Sequence, residues 1–319
     1  MTVRRRLFAL SLLVVPALAL APAGAGPLPD NPWLERRVLN IAHQGGEIEA
    51  PSDTLYAFKT AVAKGVDMLE LDVHATSDGH IVVLHDTTVN RTTDGAGRVD
   101  ALTLKEIQRL DAAHWFVEGC GTCHGRPAAD YTLRGIATHQ RKAPRGFTWK
   151  DFRIPTLEEV LKTFPDVPIN IEIKNTAPDT PAYERTLADL LAEYGRDDDV
   201  VVVSFLDHAI EQFKLWAPHV HTATATGETA AFWAGSQQAL PGAPNPRYVA
   251  FQVPVTFNGV TVVTEDFVRD AHANGMAVHV WTINDRAEME WLLDIGVDGI
   301  MTDVPTVLEE LLAERGQNS

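Results

Sequence analysis

Cysteine is nearly absent from the 319 residues: there are two, Cys120 and Cys123. With none near residues 21–25, a lipid-anchored leader is not expected. Basic residues are also scarce, 27 Lys and Arg against 43 Asp and Glu, for a formal net charge of −16. Such a surface repels nucleic acid and anionic lipid at long range, so nucleic acid is not an expected partner, and stable membrane insertion is not expected once a leader is removed. Only one long apolar run occurs, Leu7 to Leu20. Beyond it nothing approaches the roughly 20 apolar residues that a membrane-spanning helix requires. Internal repeats and low-complexity stretches are lacking as well.

The single apolar run follows Arg4, Arg5 and Arg6 and precedes Ala21-Pro22-Ala23 and Ala23-Gly24-Ala25. A basic start, a short apolar stretch and a small-residue cleavage site describe a signal peptide over residues 1–25. The expectation is an exported protein, periplasmic, envelope-associated or secreted, with an uncleaved N-terminal anchor as the alternative. Without the three leader arginines, 24 basic residues face 43 acidic ones, nearer −19. That balance is compatible with cation binding. Residues 26–319, in a chain of 45% apolar content, suffice for one large α/β barrel or two smaller domains.

Short β-branched runs alternate with amphipathic segments, the pattern of a parallel sheet wrapped in helices. Strands are expected at Val38–His43, Met68–His74, Ile81–His85, Ile169–Lys174, Val200–Phe205, Val220–Ala225, Tyr248–Val253, Ala277–Thr282 and Gly299–Thr302. That is one more than a (β/α)8 barrel needs. Ser77-Asp78-Gly79 is hairpin-turn chemistry, and a parallel crossover takes a dozen or more residues. The third run therefore returns antiparallel to the second and brings His85 back to the C-terminal rim, where barrel enzymes carry their sites. Residues 111–152 break the alternation with glycines, prolines, aromatics and basic residues. They are read as an insertion over one edge of the barrel mouth.

Glu70 and Asp72 have strand spacing and share a face. Glu172 lies in another apolar strand, where an unpaired carboxylate is costly. Three carboxylates converging on a barrel mouth suit one hard divalent cation, Ca²⁺ or Mg²⁺. His43 and His85, at strand ends, can serve as general acid and base. Lys174, two residues after Glu172, offers a cation to an anionic substrate.

These residues stand in AHQGGEIEAPSDT, ELDVHATSDGHIVVLHD, NRTTDGAGRV, INIEIK, VHVWTIN and GVDGIMTD. In type, order and spacing the series resembles the glycerophosphodiester phosphodiesterase family from about Val38 to Leu311. The family reads HRG, a PENT-like helix start, E-x-D, HD, RTT-x-G, E-x-K, W-T and GVDGI-x-TD. The resemblance implies a (β/α)8 barrel of the phospholipase C-like phosphodiesterase type. It further implies a metal on Glu70, Asp72 and Glu172, catalytic His43 and His85, phosphate contacts from Gln44 and Lys174, and Trp281 as a substrate wall. The reaction implied is metal-dependent hydrolysis of a glycerophosphodiester to an alcohol and glycerol phosphate. Two departures stand out: Gln44 replaces the arginine of HRG, and Ser52-Asp53 replaces Glu-Asn, with Asp53 read as a helix N-cap. Gln44→Arg is expected to strengthen the phosphate grip if the pocket has room, with Arg126, Arg134 or Arg153 otherwise supplying the charge.

Other readings compete. A lysophospholipid substrate requires an apolar route, for which Trp115, Phe116, Phe147, Trp149 and Phe152 of the insertion are candidates. A catalytically weak phosphodiester-binding barrel is favoured by Gln44 alone. Cys120-Gly-Thr-Cys123-His124 matches c-type haem attachment. It sits in a loop, however, and in an exported chain a short Cys120–Cys123 disulfide is the better account. His219 and His221 are read as structural.

Overall fold

A computed structural model describes residues 30–317 apart from residue 35 and residues 239–246. The expected signal peptide lies outside the described residues. Eight parallel strands make the frame: β1 (Leu39–Ala42), β2 (Met68–Ala75), β3 (Ile169–Ile173), β4 (Val200–Val203), β5 (His221–Thr222), β6 (Ala250–Pro254), β7 (Ala277–Trp281) and β8 (Gly299–Thr302). Each is followed by a helix: α1 (Leu55–Ala63), α2 (Leu157–Thr163), α3 (Glu184–Glu193), α4 (Asp207–Trp216), α5 (Thr226–Ser236), α6 (Glu265–Ala273), α7 (Arg286–Asp294) and α8 (Pro305–Glu314).

The ladder runs β5-β4-β3-β2-β1-β8-β7-β6. Backbone bonds from Thr224 to Ala250 and from Val249 to Thr222, each 3.0 Å, join its two ends and close the barrel. Closure removes the sheet edges that an open sheet would have to protect. Alternation along each strand then sorts the side chains. In β2, Leu69, Leu71 and Val73 join the large apolar layer beneath the helices. Met68, Glu70 and Asp72 take the opposite, interior face.

The interior is layered from bottom to top. Leu39, Ile41, Met68, Val201, Ala250 and Ala277 fill the lower end, sealed by fully buried Trp33. The Trp33 indole donates to His221 Nδ1 at 3.0 Å, so this histidine is structural. Above lies a polar layer in which the Gln252 amide donates to Asn170 Oδ1 at 2.7 Å, beside His279. Gly299 is required here, since a Cβ would fall 2.9 Å from both His279 and Ile41. The carboxylates of β2 and β3 occupy the top.

Residues Ile81–Val83 pair antiparallel with β2, Val73 facing Val83, as the turn chemistry of Ser77-Asp78-Gly79 requires. Gly79 sits at φ +82°, a conformation that favours glycine. The segment 111–152 packs beside α1: Phe152 stacks on Tyr56, and Asp151 takes the Lys59 ammonium at 2.5 Å. Cys120 and Cys123 are joined in a disulfide within it. Its aromatics pack within the segment and against α1: Phe152 and Phe116 are buried, and half-buried Trp115 stacks on His124. None of them lines the cavity at the barrel mouth.

Candidate active site

Strand register brings the acidic residues together. β2 and β3 pair so that Asp72 stands opposite Glu172, with Glu70 one interior position below. Like charges directly opposed on neighbouring strands repel. Even so, oxygens of Glu70, Asp72 and Glu172 all lie within 4.8 Å of one another. Both Asp72 oxygens are buried without a hydrogen-bond partner. The Lys174 ammonium stands 3.0 Å from Glu172 and 3.2 Å from Asp72, at ion-pair distance. Burial drives the carboxyls up, Glu70 to about 8 and Glu172 to about 7, and the neighbouring Asp72 charge adds to both. Orphaned oxygens and mutually raised carboxyls are what an oxygen-ligated divalent cation would relieve, so the residues fit such an ion.

His43 follows the last residue of β1, and its Nδ1 bonds Asp303 Oδ1 at 2.7 Å. Asp303 follows β8 and is braced by the Asn284 amide at 2.7 Å. Nε2 of His43 thereby faces the cavity, 4.0 Å from Glu70. Burial lowers the imidazole's pKa, but the Asp303 hydrogen bond and the Glu70 charge outweigh it and hold the value at about 10. His85 repeats the arrangement: Nδ1 bonds Asp86 Oδ1 at 2.9 Å, and the ring centre is 6.4 Å from that of His43. A carboxylate on Nδ1 sets the tautomer and frees the other nitrogen for proton transfer. Asp303 and Asp86 stand in the TD and HD motifs, which mark the two residues in the sequence but not their role as imidazole partners.

The two departures in the opening motifs touch each other. Ser52 Oγ donates to Gln44 Oε1 at 2.5 Å, and an Arg91 guanidinium nitrogen lies 3.4 Å from the same oxygen. Gln44 is 1% exposed, so there is no free room for a longer cation. Its amide nitrogen points to His43 Nε2 at 3.3 Å, while its backbone N–H donates to Glu70 at 2.9 Å. The insertion arginines lie elsewhere: Arg126 pairs with Asp130, Arg134 lies over Tyr131, and Arg153 pairs with Glu159. Arg91, from the NRTT run, is the guanidinium beside Gln44, held by Glu47 and Asp86.

Asp53 is not the helix cap. Thr54 is, accepting from the Ala57 N–H at 3.1 Å. Asp53 adopts φ +55°, with both carboxyl oxygens buried and unpartnered. Burial, with the charges of Asp72 and Glu70, pushes its pKa well up. This is a fourth acidic group behind the cluster, outside the set whose oxygens converge.

A cavity of about 530 Å³ opens from this centre across the barrel mouth. Trp281 lines it edge-on to Phe205, with ring centres 5.5 Å apart. The apolar wall thus lies on the β4–β7 side, not in the insertion. Its hairpin, Thr256–Phe257 with Val260–Thr261, turns on Asn258-Gly259, a signal legible in the sequence.

The match to known proteins covers most of the barrel. The model of the "Glycerophosphoryl diester phosphodiesterase family" matches residues 43–307. A glycerophosphodiester phosphodiesterase of Caldanaerobacter subterraneus subsp. tengcongensis is 32% identical over 288 residues, covering 88% of this chain and all of that one. A lysophospholipase D of Mus musculus is 27% identical over 86% of this chain and 85% of its own length. Among solved structures, a putative glycerophosphoryl diester phosphodiesterase from Silicibacter pomeroyi has TM-score 0.69 and 22% identity, covering 91% of this chain and 99% of that one. An Oleispira antarctica phosphodiesterase in complex with the product sn-glycerol-3-phosphate has TM-score 0.62 and 22% identity, covering 86% and 96%. The chain belongs to the glycerophosphoryl diester phosphodiesterase family and is a phosphoric diester hydrolase.

Proposed function

We propose that the chain hydrolyses glycerophosphodiesters to an alcohol and glycerol phosphate, using a divalent cation on Glu70, Asp72 and Glu172 and the histidines His43 and His85. The observation that carries this reading is the convergence of three carboxylates, within 4.8 Å, beside two imidazoles that each rest on a carboxylate. When bound, Ca²⁺ or Mg²⁺ supplies positive charge to the non-bridging phosphate oxygens.

His43 is the general acid. Held protonated by Asp303, it presents Nε2–H to the departing alkoxide. The neutral ring left behind accepts from the Gln44 amide, which stands at 3.3 Å. His85, oriented by Asp86, takes the proton of the attacking oxygen. Lys174 holds its ammonium over the ligand cluster and faces the same cavity, where it offers charge to the phosphate. Export through residues 1–25 is part of the proposal, and N-terminal sequencing of the mature protein tests it.

The deciding assay is glycerophosphocholine hydrolysis with and without a chelator. Turnover should vanish on chelation, return with Ca²⁺ or Mg²⁺, and fall about 10²–10⁴-fold in His85→Ala. Binding of glycerol phosphate without turnover under any cation would instead describe a phosphodiester-binding barrel.

A further inference from the structure

Arg91 does not line the cavity, yet its guanidinium meets the support of both histidines. Its Nε donates to Asp86 Oδ1 at 3.0 Å and to Oδ2 at 3.1 Å, and Oδ1 is also the atom bonded to His85 Nδ1. Its Nη2 donates to Gln44 Oε1 at 3.4 Å, beside the Ser52 hydroxyl. With its carbonyl oxygen taken by two donors, the Gln44 amide turns its nitrogen the other way, toward His43 Nε2 at 3.3 Å. Nη1 completes the fork on Glu47. One planar group thus spans the arm of His85 and the arm of His43, which the point charge of a lysine could not do.

A long side chain gives up rotamer freedom when it is fixed, so the groups that hold this one matter. The insertion supplies them. His124 Nε2 lies 2.9 Å from the Arg91 carbonyl, and the Thr122 hydroxyl donates to Glu47 Oε1 at 3.3 Å. The His124 ring stacks on Trp115, and the Gly119 N–H donates to the Ile48 carbonyl at 3.0 Å. All of these contacts come from the turn that the Cys120–Cys123 disulfide closes. The turn itself stays out of the cavity.

Resting on the acid and base roles proposed above, we propose that Arg91 is a positioning residue for both histidines, and that the disulfide-closed turn of residues 119–124 is its brace. Asp86 orients His85 and Gln44 approaches His43, but neither contact fixes one ring against the other. The guanidinium does so by holding Asp86 and Gln44 together. Attack and departure at one phosphorus have to be served from a set separation, and the ring centres stand 6.4 Å apart.

The test measures kcat and KM of the full chain, supplied with Ca²⁺ or Mg²⁺, on glycerophosphocholine. Arg91→Met keeps the stem and removes the fork. Its kcat should fall about 10–100-fold, the scale of a misplacement near 1 Å, while KM stays within about twofold. Arg91→Lys keeps the charge without the fork and should recover only part of the loss. In an Asp86→Asn background Arg91→Met should cost less than it does alone, because residues that act as a unit are not additive. His124→Phe keeps the stack on Trp115 and drops the bond to the Arg91 carbonyl. That variant, and Cys120→Ser combined with Cys123→Ser, should each lower kcat several-fold and add nothing beside Arg91→Met. Natural kcat in both turn variants overturns the brace. A raised KM with kcat unchanged would make Arg91 a phosphate contact, and a lowered Tm with kcat per folded molecule unchanged would make it structural; either overturns the proposal. Should the natural chain hydrolyse nothing, the functional reading fails and imidazole NMR decides the tie. Arg91→Met should then shift the ring resonances of both His43 and His85, and the proposal falls if either stays in place.

Discussion

Gln44 shows how a change in a motif is read differently once its neighbours are known. Alone, it is an arginine's charge lost; in the fold, it is one half of a pair with Ser52, which donates to its carbonyl. An arginine at 44 would place its guanidinium against that of Arg91 in a site 1% exposed. Gln44→Arg is therefore expected to lower kcat/KM at least about tenfold, because a buried charge with a like neighbour is strongly unfavourable. Adding Ser52→Glu should restore much of the loss, with a coupling of about 1–3 kcal/mol in a double-mutant cycle on kcat/KM. Additive losses would show that the two positions are independent. At Asp53 the expectation concerns pH. Its folded carboxyl titrates well above the ordinary 3.8, so the stability it contributes is complete below 3.8 and is lost as pH rises through the folded value. Asp53→Asn does not titrate, so in chelator its Tm advantage over the natural chain should widen with pH. A constant difference between acid and neutral pH would mean that Asp53 is not held protonated.

At the scale of elements, the pairing of β2 with β3 controls the centre. It sets Asp72 against Glu172, and the cation-free fold answers by holding Glu70 and Glu172 protonated to about 8 and 7, against an ordinary 4.5. Groups raised in this way favour the fold fully below 4.5 and cease to do so as pH climbs through 7 to 8. A divalent cation competes with those protons, so the Tm gain from Ca²⁺ or Mg²⁺ should grow from about pH 5 to about pH 8. At a hundredfold excess over Kd the underlying stabilisation should reach roughly 2.7 kcal/mol. Asp72→Asn should abolish most of the gain, and scanning calorimetry reads it. An equal gain at both ends of the range would place the bound ion elsewhere.

The whole molecule divides along the barrel axis into a lower end for stability and an upper end for chemistry, as in other (β/α)8 enzymes. Trp33 belongs to the lower end, fully buried among Leu39, Ile41 and Met68. Trp33→Ala should cost about 3–5 kcal/mol in urea unfolding. KM should stay unchanged wherever the variant remains folded, because the cavity lies at the other end. A parallel rise in KM would show that the two ends are coupled.

Periodicity and local chemistry carried much of this architecture in one dimension. Strand runs, the antiparallel return after Ser77-Asp78-Gly79, and the two-residue spacing of Glu70 and Asp72 are all properties of neighbouring residues, so they can be read along the chain. The short helix caps are as local, yet Asp53 was misassigned, because φ +55° and burial at that position depend on what packs above it. The partner of His85 is its neighbour Asp86, but that of His43 is Asp303, just after β8 and 260 positions away. A contact at that separation costs loop closure and is rewarded only when the barrel closes. Closure also decides where apolar side chains face. Phe147 and Phe152 of the insertion turn inward against Tyr56 of α1, while Phe205, Trp233 and Phe257, scattered over three separate segments, meet around one cavity. The kind of chemistry was thus written in the order of the residues. The shape of the space in which it happens came from side chains that only the closed barrel brings together.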